Sequence, residues 1–259
     1  SYKMDIIYMI SEANRAPISI NKDMTQEKPR FYDLTKTDIL KSCWLSYQPG
    51  LTSDDTVHLL CANVSDETKN WLKHTTKAVL IIKDVPTIDE YIHPYPDYCD
   101  IRINNFIPQY EYFMEEVTKH PNKLYYLAND DYLHTETAIQ AIKALYDSGY
   151  NSFFVPQDYP DTYQNDNKDT KVHLTQFGYL RTVKSATPTL LAPGTLWLKY
   201  KYDILKAGVF ADDGWTWRAF GLDMALAPMP GWSTHLQHSC ESPYVDWYSL
   251  AKHYLAKGN

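Results

Sequence analysis

The chain has 259 residues, 44% hydrophobic and 22% charged, with a net charge of −7, ordinary values for a globular protein of one large or two small α/β domains. The acidic balance excludes a broadly basic nucleic-acid coat and leaves only a local basic groove open. Cys43, Cys61, Cys99 and Cys240 are far apart with no CxxC pair, a pattern of reduced thiols in a cytosolic protein rather than a zinc site or disulfide framework.

Taken in order, Asp5 to Ile10 reads as a buried strand, followed by a polar loop from Ser11 to Pro17. Thr35 to Tyr47 has helical spacing, with Ile39, Leu40, Cys43, Trp44 and Tyr47 on one face. Thr56 to Cys61 is a second strand, and a short helix runs from about Asp66 through Leu72. Ala78 to Ile82 is a third strand, and Ile107 to Val117 a helix. Leu124 to Asn129 is an apolar, aromatic strand that ends on Asp130 and Asp131, with a helix over Thr135 to Asp147 and a strand over Ser152 to Val155 behind it. Alternation over the first ~155 residues predicts a largely parallel sheet with covering helices.

Beyond that point the rhythm changes. Lys171 to Leu174, Tyr179 to Val183 and Thr189 to Leu191 read as short antiparallel strands. Tyr200 to Ala207 and Trp215 to Ala225 read as helices, Pro228 to Trp232 as a turn, and the chain closes on a loop and helix. The fold expected is α/β: one domain, with a mostly parallel Rossmann-like sheet and a smaller antiparallel C-terminal part. Residues 1–155 form its nucleotide-binding half and 156–259 its acceptor-shaping half. No apolar run reaches the ~20 residues that cross a bilayer, and the N-terminus lacks a signal-peptide pattern.

Four polar clusters are candidates for chemistry. Asp130 and Asp131 lie where a strand delivers acids to the carboxyl edge of an α/β sheet, the edge where such folds bind ligands. Carboxylates there suit a hard divalent cation that also holds a diphosphate; the plainer reading is a loop capping the next helix through Asp131 or Thr135. Asp158, Tyr159, Asp161 and Tyr163 follow another strand to the same edge, as a sugar site, a base or a turn. His235 and His238 share a loop bounded by Pro230 and Gly231, where one imidazole could reach a metal. Asp213 precedes a helix as cap or catalytic carboxylate.

Charge is uneven. Residues 168–206 hold seven basic side chains, among them Arg181, Lys199 and Lys201, against Asp169 and Asp203, so this segment is +5 and the remainder −12. Phe177, Tyr179, Trp197, Tyr200 and Tyr202 are interleaved, a mixture that suits phosphate tracking and base stacking or an ordinary solvated face. The 22 tyrosines exceed what a core needs, and aromatics with a polar tip often line sugar or base sites. GxGxxG, Walker, GxSxG and HExxH patterns are absent, leaving dehydrogenase, P-loop kinase and serine-hydrolase readings without local support.

In this order the segments resemble GT-A-type glycosyltransferases, in particular a phage and bacterial group related to the base J glucosyltransferases. The resemblance lies in Asn129-Asp130-Asp131-Tyr132-Leu133-His134, Asp158 to Tyr163, Thr170 to Thr175, Ser185 to Thr189, Pro230 to His235 and Ser242 to Trp247, with the Lys28 to Phe31 and Cys43 regions similar too. Two departures stand out. Asn129 replaces the first acid of the triplet, and Gln237 and His238 stand near where a Glu usually follows Ser-Thr-His.

The resemblance implies transfer from a nucleotide sugar, a UDP-sugar in the first instance. Ser11, Arg15, Asn63, Asp66, Asn129 and Asp130 would bind the donor, and Asp131 and His235 would hold Mn2+ or Mg2+ on its diphosphate. Asp213 and Asp158 are the candidate bases for an acceptor hydroxyl. Tyr159, Asp161, Tyr163, Arg181, Lys199 and Lys201 would shape the acceptor site. The acceptor implied is a 5-hydroxymethylpyrimidine in DNA, flipped from the duplex, in a cytoplasm, the host's if the chain is phage-encoded. Rival readings are a transferase acting on a surface polysaccharide, lipid-linked sugar or protein, a metal-dependent nuclease or phosphohydrolase, and a noncatalytic sugar-nucleotide-binding module.

Overall fold

Alternation along the central strands fixes two buried faces. In β1 (Met4–Ser11), Met4, Ile6, Tyr8 and Ile10 face one core and Ile7 and Met9 the other. In β4 (Leu124–Asn129), Leu124, Tyr126 and Ala128 join the first core and Tyr125 and Leu127 the second. Strands buried on both faces need helices on both sides, which is why they read as continuous apolar runs. A computed structural model describes residues 2–12, 31–85, 106–163, 170–187, 189–210 and 214–258.

The first core is covered by α1 (Lys36–Tyr47) and α4 (Ala138–Asp147), through Leu40, Trp44, Tyr47, Ile139, Ile142 and Tyr146. The second lies under α3 (Phe106–Lys119), α5 (Gly194–Lys199), α6 (Lys201–Phe210) and α7 (Trp215–Leu222), through Phe113, Trp197, Ile204 and Phe220. A third cluster joins α1 to α8 (Trp247–Lys257) through Cys43, Trp247, Ala251 and Tyr254.

The remaining strands are β2 (Thr56–Ala62), β3 (Val79–Asp84), β5 (Tyr132–His134), β6 (Phe153–Phe154), β7 (Val172–Thr175), β8 (Gly178–Thr182), β9 (Leu190–Pro193), β10 (Ala225–Met229) and β11 (Ser233–His235), with α2 over Asp66–His74. Among the described residues the main sheet runs β3-β2-β1-β4-β9-β6-β10-β8-β7, and β5 pairs with β11 apart from it. The first four strands of that order are parallel. Antiparallel pairing enters at β9 and governs β7 and β8, so the sheet is mixed α/β with its parallel part first, as the sequence indicates.

The structure departs from the sequence reading at four elements. The helix expected from Thr135 begins only at Ala138, because Tyr132–His134 forms β5. The helix expected to Ala225 stops at Leu222, and Pro228 and Met229, read as a turn, belong to β10. Among the described residues β6 pairs with β10 only as far as Leu226, so one side of the strand is open at Pro228, where a missing N–H loses no ladder bond. Helix α5, where the sequence reading places no element, begins at Gly194 directly behind Pro193. A Cβ on Gly194 would stand 2.5 Å from the Pro121 carbonyl oxygen, so the glycine serves close packing.

Buried charges at the amino edge of the sheet are paired among themselves. Asp5 accepts from His58 Nε2 at 2.8 Å and Lys123 Nζ at 3.1 Å, and Asp55 pairs with Lys143.

Candidate functional site

From β1 the chain builds outward through β2 and β3, then returns to place β4 on the other side of β1. The carboxyl ends of β1 and β4 therefore flank a topological switch point, where open α/β sheets form a ligand crevice. Met9 lies opposite Asn129 there. The Ser11 N–H donates to Asp130 Oδ2 at 2.9 Å, and Lys36 Nζ donates to the same oxygen at 3.1 Å. Tyr47 Oη donates to the Asn129 carbonyl at 3.3 Å. Asn129 Nδ2 donates to Thr189 Oγ1 at 3.4 Å, while its side-chain oxygen is buried with no hydrogen-bond partner among the described residues.

Asp131 and His235 meet through the β5–β11 ladder. Tyr132 pairs with His235 and Leu133 with Thr234, and the Leu236 N–H donates to the Asp131 carbonyl at 2.9 Å. This register sets His235 Nε2 2.9 Å from Asp131 Oδ2. The Tyr132 ring stacks on the imidazole, with centroids 4.8 Å apart and planes 4° from parallel. Burial works against a charged His235 ring, but Tyr132 and the Asp131 carboxylate outweigh it, and its pKa is pushed up to about 11.

The two side chains fit a divalent cation as a partial donor set. Cis ligands on ~2.1 Å bonds stand about 3 Å apart, the separation of Asp131 and His235. Among the described residues no three His, Cys, Asp or Glu side chains converge on one point, and Asp130 is taken up by Ser11 and Lys36. One carboxylate and one imidazole, completed by phosphate oxygens and water, suit Mg2+ or Mn2+ held together with a substrate. Binding would require His235 to release its proton.

Beside this pair lies a cluster of hydroxyls. Tyr132 Oη lies 3.0 Å from Thr187 Oγ1, and Tyr159 Oη 2.6 Å from the same atom. Tyr159 Oη also lies 3.4 Å from Tyr132 Oη, so Tyr159, expected at the acceptor, is two contacts from His235. Asp158, expected as a base, is fully buried and accepts from Arg181 Nε at 2.9 Å and from Tyr163 Oη at 2.5 Å. Arg181 also donates to Thr162 Oγ1 at 3.0 Å. These two side chains, assigned by sequence to base and acceptor, are engaged with each other, which leaves neither in position to approach a substrate. Asp161 is exposed in the 3-10 turn Pro160–Tyr163.

Among the described residues the basic segment does not form one groove. Lys199 pairs with Asp223 at 2.6 Å, just before β10 begins at Ala225, which is the amino edge and the far side of the sheet from Asp131. Lys201 opens α6 two residues later. Trp197 and Tyr200 are core residues. A hydropathy pattern shows neither which edge a helix approaches nor which acid waits there.

Beyond β2, Asn63 adopts a left-handed φ of 58°, and Asp66, expected with it at the donor, opens α2 behind the N-cap Ser65. Glu12 Oε1 accepts from the Ser65 N–H at 2.6 Å, tying the segment after β1 to the N-cap of α2. Arg15 and Asp213 lie outside the described residues, as does the Lys28 to Arg30 part of the resemblance. Sequence reasoning missed Lys36, Tyr132, Thr187 and Thr189. The last three fall within segments that carry the resemblance, whereas Lys36 had no motif to mark it.

The C-terminal loop locks these parts together. Ser242 Oγ donates to the Ser233 carbonyl at 2.9 Å and receives the Asp158 N–H at 3.0 Å. A Cβ on Gly231 would lie 2.8 Å from Ser242 Oγ and 3.0 Å from the Asp158 nitrogen, so only glycine fits without moving that junction. Beneath the loop, His134 is buried, its Nε2 2.7 Å from Tyr126 Oη, and burial lowers its pKa from 6.5 to about 3. The folded protein holds it neutral, while the unfolded chain protonates it below about 6.5. Stability is therefore full above pH 6.5 and lost as pH falls toward 3, by about 1.4 kcal/mol per pH unit. In urea melts at pH 7 and pH 5, His134→Gln is expected to flatten this acid-side loss; an unchanged slope would assign it to other groups.

No protein-family model matches the sequence, and no curated protein is significantly similar to it. Among solved structures, S. aureus TarS is similar at 10% identity and a TM-score of 0.48, over 98% of this chain and 39% of its own. S. aureus TarS 1-349 in complex with UDP-GlcNAc is similar at 12% identity and 0.48, over 98% of this chain and 66% of its own. The apo form of mouse xyloside xylosyltransferase 1 is similar at 9% identity and 0.36, over 85% of this chain and 75% of its own. The chain thus spans less than two thirds of the TarS structures it matches.

Proposed function

We propose that the chain is a glycosyltransferase that uses a nucleotide sugar, a UDP-sugar first among them. The observation that carries this reading is the pairing of Asp131 with His235 just beyond β4, beside Asp130 at the switch point between β1 and β4. Residues 1–155 are assigned to the donor and 156–259 to the acceptor, within one domain.

Ser11, Asn63, Asp66 and Asn129 line the donor side in this reading, and Arg15 is assigned to it by the resemblance. The unpartnered Asn129 oxygen accepts a donor hydroxyl, and the Tyr132 ring keeps His235 facing Asp131. Mn2+ or Mg2+ held by Asp131 and His235 would supply positive charge to the departing diphosphate. The base proposed for the acceptor hydroxyl is Asp213, since Asp158 is committed to Arg181.

The acceptor proposed is a 5-hydroxymethylpyrimidine in DNA, supported by the resemblance of the segments from Asn129 to Trp247. A single flipped base needs a pocket rather than a charged groove, and Tyr159, Asp161 and Tyr163 stand on its expected path. Lys199 and Lys201 do not. Reversing both to Glu is expected to leave transfer to DNA unchanged, and a large loss of transfer would return them to the acceptor surface. Among the described residues no helix is long and apolar enough to cross a membrane.

The test is a transfer screen. The protein and Mn2+ are incubated with a panel of nucleotide sugars, with and without 5-hydroxymethylcytosine DNA, and the DNA is digested for nucleoside mass spectrometry. A hexose or pentose increment establishes the reaction and its donor. Nucleoside diphosphate release without a DNA product keeps the transferase and moves the acceptor to a glycan, lipid or protein. No donor turnover overturns the reading in favour of a nuclease or binding module.

A further inference from the structure

Lys36 stands where a cation is least expected. It is the first residue of α1, and the amino end of a helix carries partial positive charge that disfavours a second cation. The cap itself is complete without it, since Thr35 and Asp38 form a reciprocal capping box. The Lys36 ammonium turns instead to Asp130, at 3.1 Å, with its side chain 19% exposed. The same carboxylate oxygen takes the Ser11 N–H, which fixes the ammonium at the carboxyl ends of β1 and β4. Arg181 and Lys199 are engaged elsewhere.

We infer that Lys36 is the protein's own cation for the donor diphosphate. This rests on the donor-site reading above and adds to it a charge that belongs to the chain itself. When the nucleotide binds, the ammonium is shared between Asp130 and the phosphate oxygens. In the transfer, the bond from the anomeric carbon to the β-phosphate oxygen breaks and its electron pair stays on that oxygen. The acceptor oxygen bonds to the anomeric carbon, and its proton passes to a carboxylate or to water. Negative charge grows on the diphosphate in that step, and a preorganised ammonium at a sparsely hydrated site is well suited to receive it. Asp130 then has the task of holding Lys36 rather than a metal, in keeping with its bonds to Ser11 and Lys36.

The experiment is calorimetric titration of the full chain with UDP and with UMP in Mn2+, for wild type, Lys36→Gln and Lys36→Arg. Lys36→Gln is expected to weaken UDP binding roughly 10- to 100-fold, the loss of one charge-assisted hydrogen bond, while UMP binding changes much less. Lys36→Arg is expected to stay close to wild type. Equal weakening of UDP and UMP, UDP binding unchanged in Lys36→Gln, or no rescue by arginine would overturn the inference and leave Lys36 as a structural partner of Asp130. If wild type binds neither UDP, GDP nor ADP, the donor-site reading itself fails.

Discussion

Replacing Asp131 by alanine is expected to lower sugar transfer by roughly a thousandfold or more, the scale of removing a principal charge-stabilising group from a reacting centre. The carboxylate lies at the end of β4 with its side chain 15% exposed, and it is no part of the three buried clusters. The fold should therefore survive. Its loss removes the partner that keeps His235 aligned and one of two donors for a divalent cation. Steady-state transfer assays beside a thermal melt separate the two effects. A well-folded Asp131→Ala protein with near-wild-type turnover would remove the metal-diphosphate account.

The largest effect on stability is expected at Arg181→Met. Its guanidinium is the buried counter-charge of Asp158, which is itself wholly inaccessible. Breaking a buried pair from one side leaves an uncompensated charge and costs about 3–5 kcal/mol. For a chain of this size that corresponds to a fall of roughly 6–20 °C in melting temperature. The double variant Arg181→Met with Asp158→Asn should recover much of the loss, because the stranded charge is gone. If Arg181→Met melts like wild type, the pair is no structural anchor and Asp158 returns as a candidate base.

Much of the fold could be read from periodicity. Apolar runs marked β1, β2 and β4 because both faces of these strands are buried, and the helical spacing from Thr35 to Tyr47 marked α1. The meeting of Asp131 with His235 was legible only as a motif resemblance. Hydropathy does not report that three residues after Asp131 will pair with Ser233–His235, about a hundred residues on. The Asp158 and Arg181 pair was missed for the opposite reason. Each looked functional alone, and a charge reads as exposed until its buried partner is known. Lys199 failed through topology, since β9 runs against β4 and carries α5 to the far edge of the sheet. Lys36 was passed over because a lysine at a helix start has no motif.

The most direct test of the central claim is a crystal structure of the protein with UDP and Mn2+, with anomalous scattering used to locate the metal. The account predicts an anomalous peak within bonding distance of Asp131 and His235, with the diphosphate over the carboxyl ends of β1 and β4. A nucleotide bound elsewhere, or a diphosphate in that crevice with its metal away from both side chains, would contradict it.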